Sequence, residues 1–126
     1  MAGFDETFDW VVVGSGAGSM ASGLLMRKAG KSVVILEKTA FVGGTTAKSG
    51  GVMWIPGNRF MAEAGDPDSA EAAVAYLEAV QATDGGATPG STPEKRRAYV
   101  TEAPRLIDFL VEQGIELERG PAFWPD

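Results

Sequence analysis

The residues best placed for chemistry are glycines, hydroxyls and one acid rather than an acid–base pair. They are Gly14-Ser15-Gly16-Ala17-Gly18-Ser19, then Glu37, then Gly43-Gly44-Thr45-Thr46-Ala47-Lys48-Ser49-Gly50-Gly51. A glycine turn of the first kind brings backbone N–H groups against a phosphate. Gly14 lets the chain leave a strand sharply, and Gly16 lacks the side chain that would block a pyrophosphate. The small Gly18 and Ser19 allow the following helix to pack closely on its strand. The helix N-terminus adds free N–H groups and the positive end of its dipole. Glu37 stands about twenty residues beyond the turn, where an acid accepts hydrogen bonds from ribose hydroxyls. An acid at this point, rather than a base, favours an unphosphorylated ribose, hence FAD or NAD over NADP.

The elements that must position these groups follow in order. Phe8-Asp9-Trp10-Val11-Val12-Val13 reads as a strand. Ala17, Met20, Ala21, Leu24 and Leu25 form a core-facing helical stripe. Gly30 stops that helix as a C′ glycine, with Arg27 and Lys28 at the negative dipole end. Val33-Val34-Ile35-Leu36 is a second strand ending on Glu37. The glycine motif alone is weak, because Ser19 replaces its third glycine; the ordered set of strand, turn, helix, strand and acid carries the reading. The segment from Lys38 to Gly51 is too rich in glycine for the ordinary helix that follows the second strand of a nicotinamide domain. It suits backbone running beside a flat ligand. A mobile surface loop is the alternative, against which the nearby apolar Phe41, Val42, Val52, Met53, Trp54 and Ile55 argue.

Beyond Pro56 the pattern turns helical. Asp66-Pro67-Asp68-Ser69 opens a helix with Asp68 and Glu71 at capping-box spacing, and Ala70, Ala73, Val74, Leu77 and Val80 form its stripe up to Gly85-Gly86. Residues 87–90 read as a linker-like turn. Ser91-Thr92-Pro93-Glu94 opens another helix, with Tyr99, Val100, Ala103, Leu106, Ile107, Leu110 and Val111 on one face. Pro104 should kink or split it. Gly114 should end it, and Ile115-Glu116-Leu117-Glu118 alternates like an edge strand. Tyr76 and Tyr99 read as core residues, and Lys95-Arg96-Arg97 as a solvated basic run. The fold class is α/β: a Rossmann-like βαβ unit over 1–58, followed by a helical extension over 59–126.

Glu37-Lys38 followed by Gly43 through Asn58, including Trp54-Ile55-Pro56-Gly57-Asn58, resembles the 3-ketosteroid Δ1-dehydrogenases of the fumarate reductase/succinate dehydrogenase flavoprotein superfamily. The glycine–hydroxyl stretch occurs across the superfamily, while the Trp-Ile-Pro-x-Asn trailer is narrower. The resemblance implies FAD, held non-covalently because the sequence has no histidine for a flavin link. It implies that Gly14, Ser15, Gly16, Ala17, Gly18 and Ser19 hold the pyrophosphate, and that Glu37 takes the adenosine ribose with Lys38 nearby. Gly43, Gly44, Thr45 and Thr46 would follow the phosphate and ribityl portion, and Ala47, Ser49, Gly50 and Gly51 would border the isoalloxazine. The family's catalytic tyrosines have no counterpart here, so no catalytic residue is expected in this sequence. The implied activity is C1–C2 desaturation of a steroid-like ketone, with hydride passing to flavin N5. A complementary polypeptide would carry the rest of the FAD and substrate domains. A fumarate reductase-like enoate reductase and a non-catalytic dinucleotide-binding remnant are the alternatives.

Acids outnumber bases 17 to 11 over 126 residues, giving a net charge of −6, which disfavours nucleic acid and anionic membranes as partners. With no cysteine there is no disulfide framework or thiolate metal site, and no carboxylate cluster has ligand spacing. The acidic leader Met1–Thr7 does not suit a secretory signal, and no apolar run is long enough for a membrane span. A cytoplasmic setting is expected.

Overall fold

The computed structural model describes residues 3–66, 68–83 and 90–120. The chain gathers into two units, residues 1–52 and 53–126. The division falls between Val52 and Met53, so Trp54-Ile55-Pro56 belongs with the helices, whereas the sequence reading kept it with the glycine cradle.

The first unit is a βαβ arrangement. β1 (Trp10–Val13) and β2 (Val33–Leu36) pair in parallel, Trp10 with Val33 through Val13 with Leu36, and α1 (Ala17–Lys28) connects them. β1 is shorter than its apolar run because Asp9 binds through its side chain. The Asp9 carboxylate accepts the Ser32 N–H and hydroxyl, both at 2.8 Å, and the Asp9 N–H donates to Ser32 Oγ at 2.9 Å. This clamp sets the strand register before the ladder begins.

The face that α1 lays on the sheet is not the apolar stripe expected from spacing. Met20 and Leu25 are exposed, whereas Gly23 is buried. A Cβ on Gly23 would lie 3.1 Å from Ile35 Cδ1, and Trp10 Nε1 donates to Ser22 Oγ at 3.3 Å. Gly23, rather than Gly18 or Ser19, is therefore the residue that admits close helix–strand packing; nothing lies within 4 Å of a Cβ placed on Gly18. Small residues face the sheet because a four-residue strand offers little depth, and backbone proximity replaces side-chain interdigitation. The helix ends as expected: Gly30 has φ 78°, its N–H reaches Arg27 O, and Lys31 N–H reaches Met26 O, both at 3.0 Å.

In the second unit, α2 (Arg59–Glu63) is a short helix capped by Asn58, whose Oδ1 accepts the N–H groups of Phe60 and Met61 and whose Nδ2 donates to Ile55 O. α3 (Ala70–Thr83) starts on Ser69, whose hydroxyl accepts the Ala72 N–H at 3.0 Å, so the cap is Ser69 and not Asp68. α4 (Pro93–Glu112) starts on Thr92, with Pro93 in its first turn. It runs unbroken through Pro104 and closes at Gly114, φ 85°. One lost N–H costs less than abandoning the helix face that buries Val100 and Ile107. Residues 115–118 form no strand, and β1 and β2 are the only strands among the described residues. The expected Pro67 helix start, Gly85-Gly86 stop, most of the 87–90 turn and the last residues from 121 lie outside the described residues.

Trp54 gathers the two tyrosines. It stacks on Tyr99 (ring centroids 6.1 Å apart, planes 6° apart) and tilts against Tyr76 at 5.3 Å, while the Tyr99 hydroxyl donates to Trp54 O. Neither tyrosine is a core residue: both remain exposed by roughly two-fifths. Arg96 is also not solvated. Its guanidinium turns inward to Gln81 Oε1 and, at 2.7 Å, to Ser91 O.

Candidate functional site

The carboxyl ends of β1 and β2 open into a cleft of about 420 Å³ lined by Val13, Gly14, Ser15, Gly16, Leu36, Glu37, Lys38 and Gly44. Its position is the one where parallel α/β units bind ligands. Gly14 turns the chain off β1 with φ 92°, a conformation that side chains disfavour, while its N–H still reaches Leu36 O at 2.7 Å.

Gly16 is informative for the opposite reason. Its φ of −67° suits any residue, and an added Cβ would meet nothing nearer than Thr46 Oγ1 at 3.9 Å. Nothing in the fold requires glycine at Gly16, the cap position of α1, or at Gly18 inside its first turn, where glycine weakens the helix. A ligand approaching the backbone at the cleft accounts for the bare Gly16. The start of α1 also lacks a side-chain cap of its own, which leaves its first N–H groups as donors. One of them, Ala17 N–H, is met at 3.2 Å by the Thr46 hydroxyl from the glycine loop.

Glu37 is the hub of the cleft. Its Oε2 accepts the Ser15 N–H at 3.1 Å and the Ser15 hydroxyl at 2.5 Å. Its Oε1 accepts the Thr39 N–H and hydroxyl, both at 3.0 Å. The Ser15 hydroxyl, the Thr39 N–H and the Thr39 hydroxyl hold the carboxyl down at about 2, well below the ordinary 4.5. Ser15, only 2% exposed, also accepts the Gly43 N–H at 2.8 Å through its hydroxyl.

Of the residues singled out in the sequence, Gly14, Ser15, Gly16, Glu37, Lys38 and Gly44 line the cleft together, with Gly43 and Thr46 tied to them by hydrogen bonds. Ala17 joins through its N–H. Gly18, Ser19, Thr45, Ala47, Ser49, Gly50 and Gly51 do not line it. The loop carries a single 3-10 turn, Thr46–Lys48, with the Ser49 hydroxyl donating back to Thr46 O at 2.9 Å. Phe41, Val42 and Val52, whose apolar character argued for a packed loop, are 83%, 71% and 65% exposed. Sequence reasoning missed Thr39, whose signal was a hydroxyl two residues after the acid, and the apolar walls Val13 and Leu36.

A second concavity, about 300 Å³, lies among Trp54, Leu77, Gly90, Ser91, Lys95, Arg96 and Tyr99. Its cations are spent internally: Lys95 Nζ donates to Gly90 O, and Arg96 holds Ser91 and Gln81. Burial raises the Tyr99 hydroxyl above its ordinary value, which keeps it a neutral donor. Among the described residues there is no group of three or more acids, histidines or cysteines able to hold a metal, and no helix is long and apolar enough to cross a membrane.

A βαβ unit with a glycine turn, a strand-ending acid and a glycine-rich loop meeting at one cleft defines a dinucleotide-binding protein. The chain belongs to the FAD binding domain family, whose model matches residues 9–124, and FAD is its cofactor. It is 51% identical over 105 residues to 4-oxocyclohexanecarboxylate 2-dehydrogenase of Sinomonas cyclohexanicum, covering 83% of this chain and 17% of the relative. It is 37% identical over 107 residues to 3-oxosteroid 1-dehydrogenase of Mycobacterium tuberculosis, covering 85% and 18%. Among solved structures, 3-ketosteroid delta1-dehydrogenase from Sterolibacterium denitrificans in complex with 1,4-androstadiene-3,17-dione superposes with a TM-score of 0.70 at 34% identity, over 83% of this chain and 17% of that one. The chain thus spans about a sixth of the length of these relatives.

Proposed function

We propose that this chain is the FAD-binding part of a flavin-dependent dehydrogenase that introduces a double bond beside the carbonyl of a cyclic ketone, of the 3-oxosteroid 1-dehydrogenase type. The observation that carries the reading is Gly16, which lines the cleft with room for a side chain that the fold would accept and a pyrophosphate would not. Gly16, Gly18 and Ser19 offer backbone N–H groups to the phosphates, while Gly14, Ser15 and Ala17 shape the turn around them with their own N–H groups bonded within the fold. Glu37 takes the adenosine ribose, beside Lys38. Gly43 to Thr46 follow the ribityl side, and Ala47, Ser49, Gly50 and Gly51 border the flavin ring. When bound, FAD supplies the hydride acceptor; this chain's residues hold it and exclude competing contacts. The groups that remove the substrate proton lie outside this chain, in a complementary polypeptide or further sequence. The absence of cysteine is compatible with a reducing, cytoplasmic setting.

A second reading concerns the substrate. Identity of 51% to a 4-oxocyclohexanecarboxylate dehydrogenase favours a small ring ketone bearing a carboxylate over a steroid. Flavin absorption of the purified protein tests the cofactor, and parallel turnover of a 3-ketosteroid and of 4-oxocyclohexanecarboxylate by the complete enzyme with an artificial electron acceptor separates the substrates. A colourless protein that takes up no FAD overturns the proposal. The isolated chain, supplied with FAD and either substrate, should give no desaturated product.

A further inference from the structure

The carboxylate of Glu37 has acceptor sites for about four hydrogen bonds, and in this structure all are taken by Ser15 and Thr39. The two sides are not equivalent. On the Oε2 side, Ser15 is buried, and its hydroxyl both donates to Glu37 and accepts the Gly43 N–H. Releasing it would unpin the glycine loop from the glycine turn and leave a buried polar group unmatched. On the Oε1 side, Thr39 is exposed, and its single hydroxyl proton has two acceptors within reach: Glu37 Oε1 at 3.0 Å and Phe41 O at 2.7 Å. Turning that proton to Phe41 O frees one of the two acceptor positions on Oε1, the other staying with the Thr39 N–H at 3.0 Å.

We infer that Glu37 divides its two oxygens between duties, with Ser15 acting as a positioning residue that locks Oε2 and the Gly43 loop, and Thr39 acting as a hydroxyl switch that releases Oε1 to the cofactor diol. The inference rests on the FAD reading above and deepens it. Ser15 thereby joins the three cofactor-facing segments, the turn after β1, the end of β2 and the glycine loop, through one side chain rather than contacting phosphate with it. Thr39 keeps Oε1 hydrogen-bonded until the cofactor diol takes the place of its hydroxyl.

The test has two arms. In the wild-type protein without FAD, carbon-detected NMR of the Glu37 side chain should show it still ionised well below the usual carboxylate range. A Glu37 titration near the ordinary value of 4.5 would overturn the Ser15–Glu37 lock whether or not any variant folds. In the second arm, FAD affinity is followed by flavin fluorescence quenching from neutral pH down to about pH 4 for wild type, Ser15→Ala, Ser15→Thr and Thr39→Val. Wild type should be flat. Ser15→Ala should bind about tenfold more weakly and lose further affinity as pH falls through the ordinary carboxylate range, with Ser15→Thr restoring the flat profile. Thr39→Val, whose side chain cannot compete for Oε1, should bind FAD at least as well as wild type. A Ser15→Ala profile parallel to wild type, or a large loss in Thr39→Val, overturns the division of duties. If wild type binds no FAD at all, the cofactor reading fails, and the NMR arm still decides the lock.

Discussion

The Thr46 hydroxyl accepts the Ala17 N–H at 3.2 Å across 29 residues of sequence, so the glycine loop supplies the cap that the start of α1 lacks. Removing a cap of this kind costs about 1 kcal/mol. Thr46→Ala should therefore lower thermal stability by a few degrees and weaken FAD retention, while Thr46→Ser keeps both. Differential scanning fluorimetry with and without FAD checks the pair, and an unchanged Thr46→Ala would show that the contact carries no weight.

Gly16 separates folding from binding. Gly16→Ala should leave stability within about 1 kcal/mol of wild type, because the backbone conformation and the free space accept a methyl group. It should still weaken FAD binding, and Gly16→Val should abolish flavin retention. Flavin content per protein, measured by absorbance after gel filtration, is the readout. Full flavin occupancy in Gly16→Val contradicts the phosphate-turn assignment.

Gly23 should behave in the reverse manner. A Cβ there meets Ile35 Cδ1 at 3.1 Å, so Gly23→Val forces α1 away from β2 and should cost about 1–3 kcal/mol. Chemical denaturation measures it. A neutral result would mean that α1 moves freely over the sheet.

Acid should loosen the first unit through Glu37. Its folded value of about 2 lies below the ordinary 4.5, so its contribution to stability is complete above the ordinary value and is lost as pH falls from there towards 2. Asp9, lowered by the Ser32 N–H and hydroxyl, acts in the same direction. Denaturation midpoints against pH should decline over that interval in wild type and decline less in Glu37→Gln. Equal slopes would remove Glu37 as the source. At neutral pH, Glu37→Ala should weaken FAD binding, read by equilibrium dialysis, because the ribose hydroxyls lose a charged acceptor.

The face of the sheet opposite α1 predicts the physical state. Val11, Val13 and Leu36 are 53%, 81% and 52% exposed, and strand alternation puts them together on the side away from Gly23. Large apolar patches and open strand edges promote association. The isolated chain should self-associate or co-purify with a complementary polypeptide, and Val13→Lys should reduce self-association. Size-exclusion chromatography with light scattering tests this; a sharp monomer with cooperative unfolding would refute it.

Much of the site was legible in the chain because its signals are local. A glycine that turns off a strand, an acid that ends the next one and a C′ glycine at Gly30 each act through their own backbone, so residue type and spacing suffice. The same holds for the stop at Gly114, while the start of α4 falls within the expected Ser91-to-Glu94 segment but is capped by Thr92 rather than by Ser91. What only the tertiary structure decided depends on which groups meet across distance. Periodicity chose the apolar stripe of α1, but close approach to a short strand chose Gly23 instead. The alternation of Ile115 to Glu118 promised a strand, yet a strand exists only where a neighbouring edge accepts its hydrogen bonds. Arg96 sits in a basic run that reads as solvated, and the inward acceptors Gln81 and Ser91 turned it to the interior. The fate of Ser15 is the clearest case: the resemblance put it among the residues holding the pyrophosphate, but its hydroxyl is taken by the Glu37 carboxylate at the end of β2 and by the Gly43 N–H, because folding brings both within hydrogen-bond reach of this buried side chain.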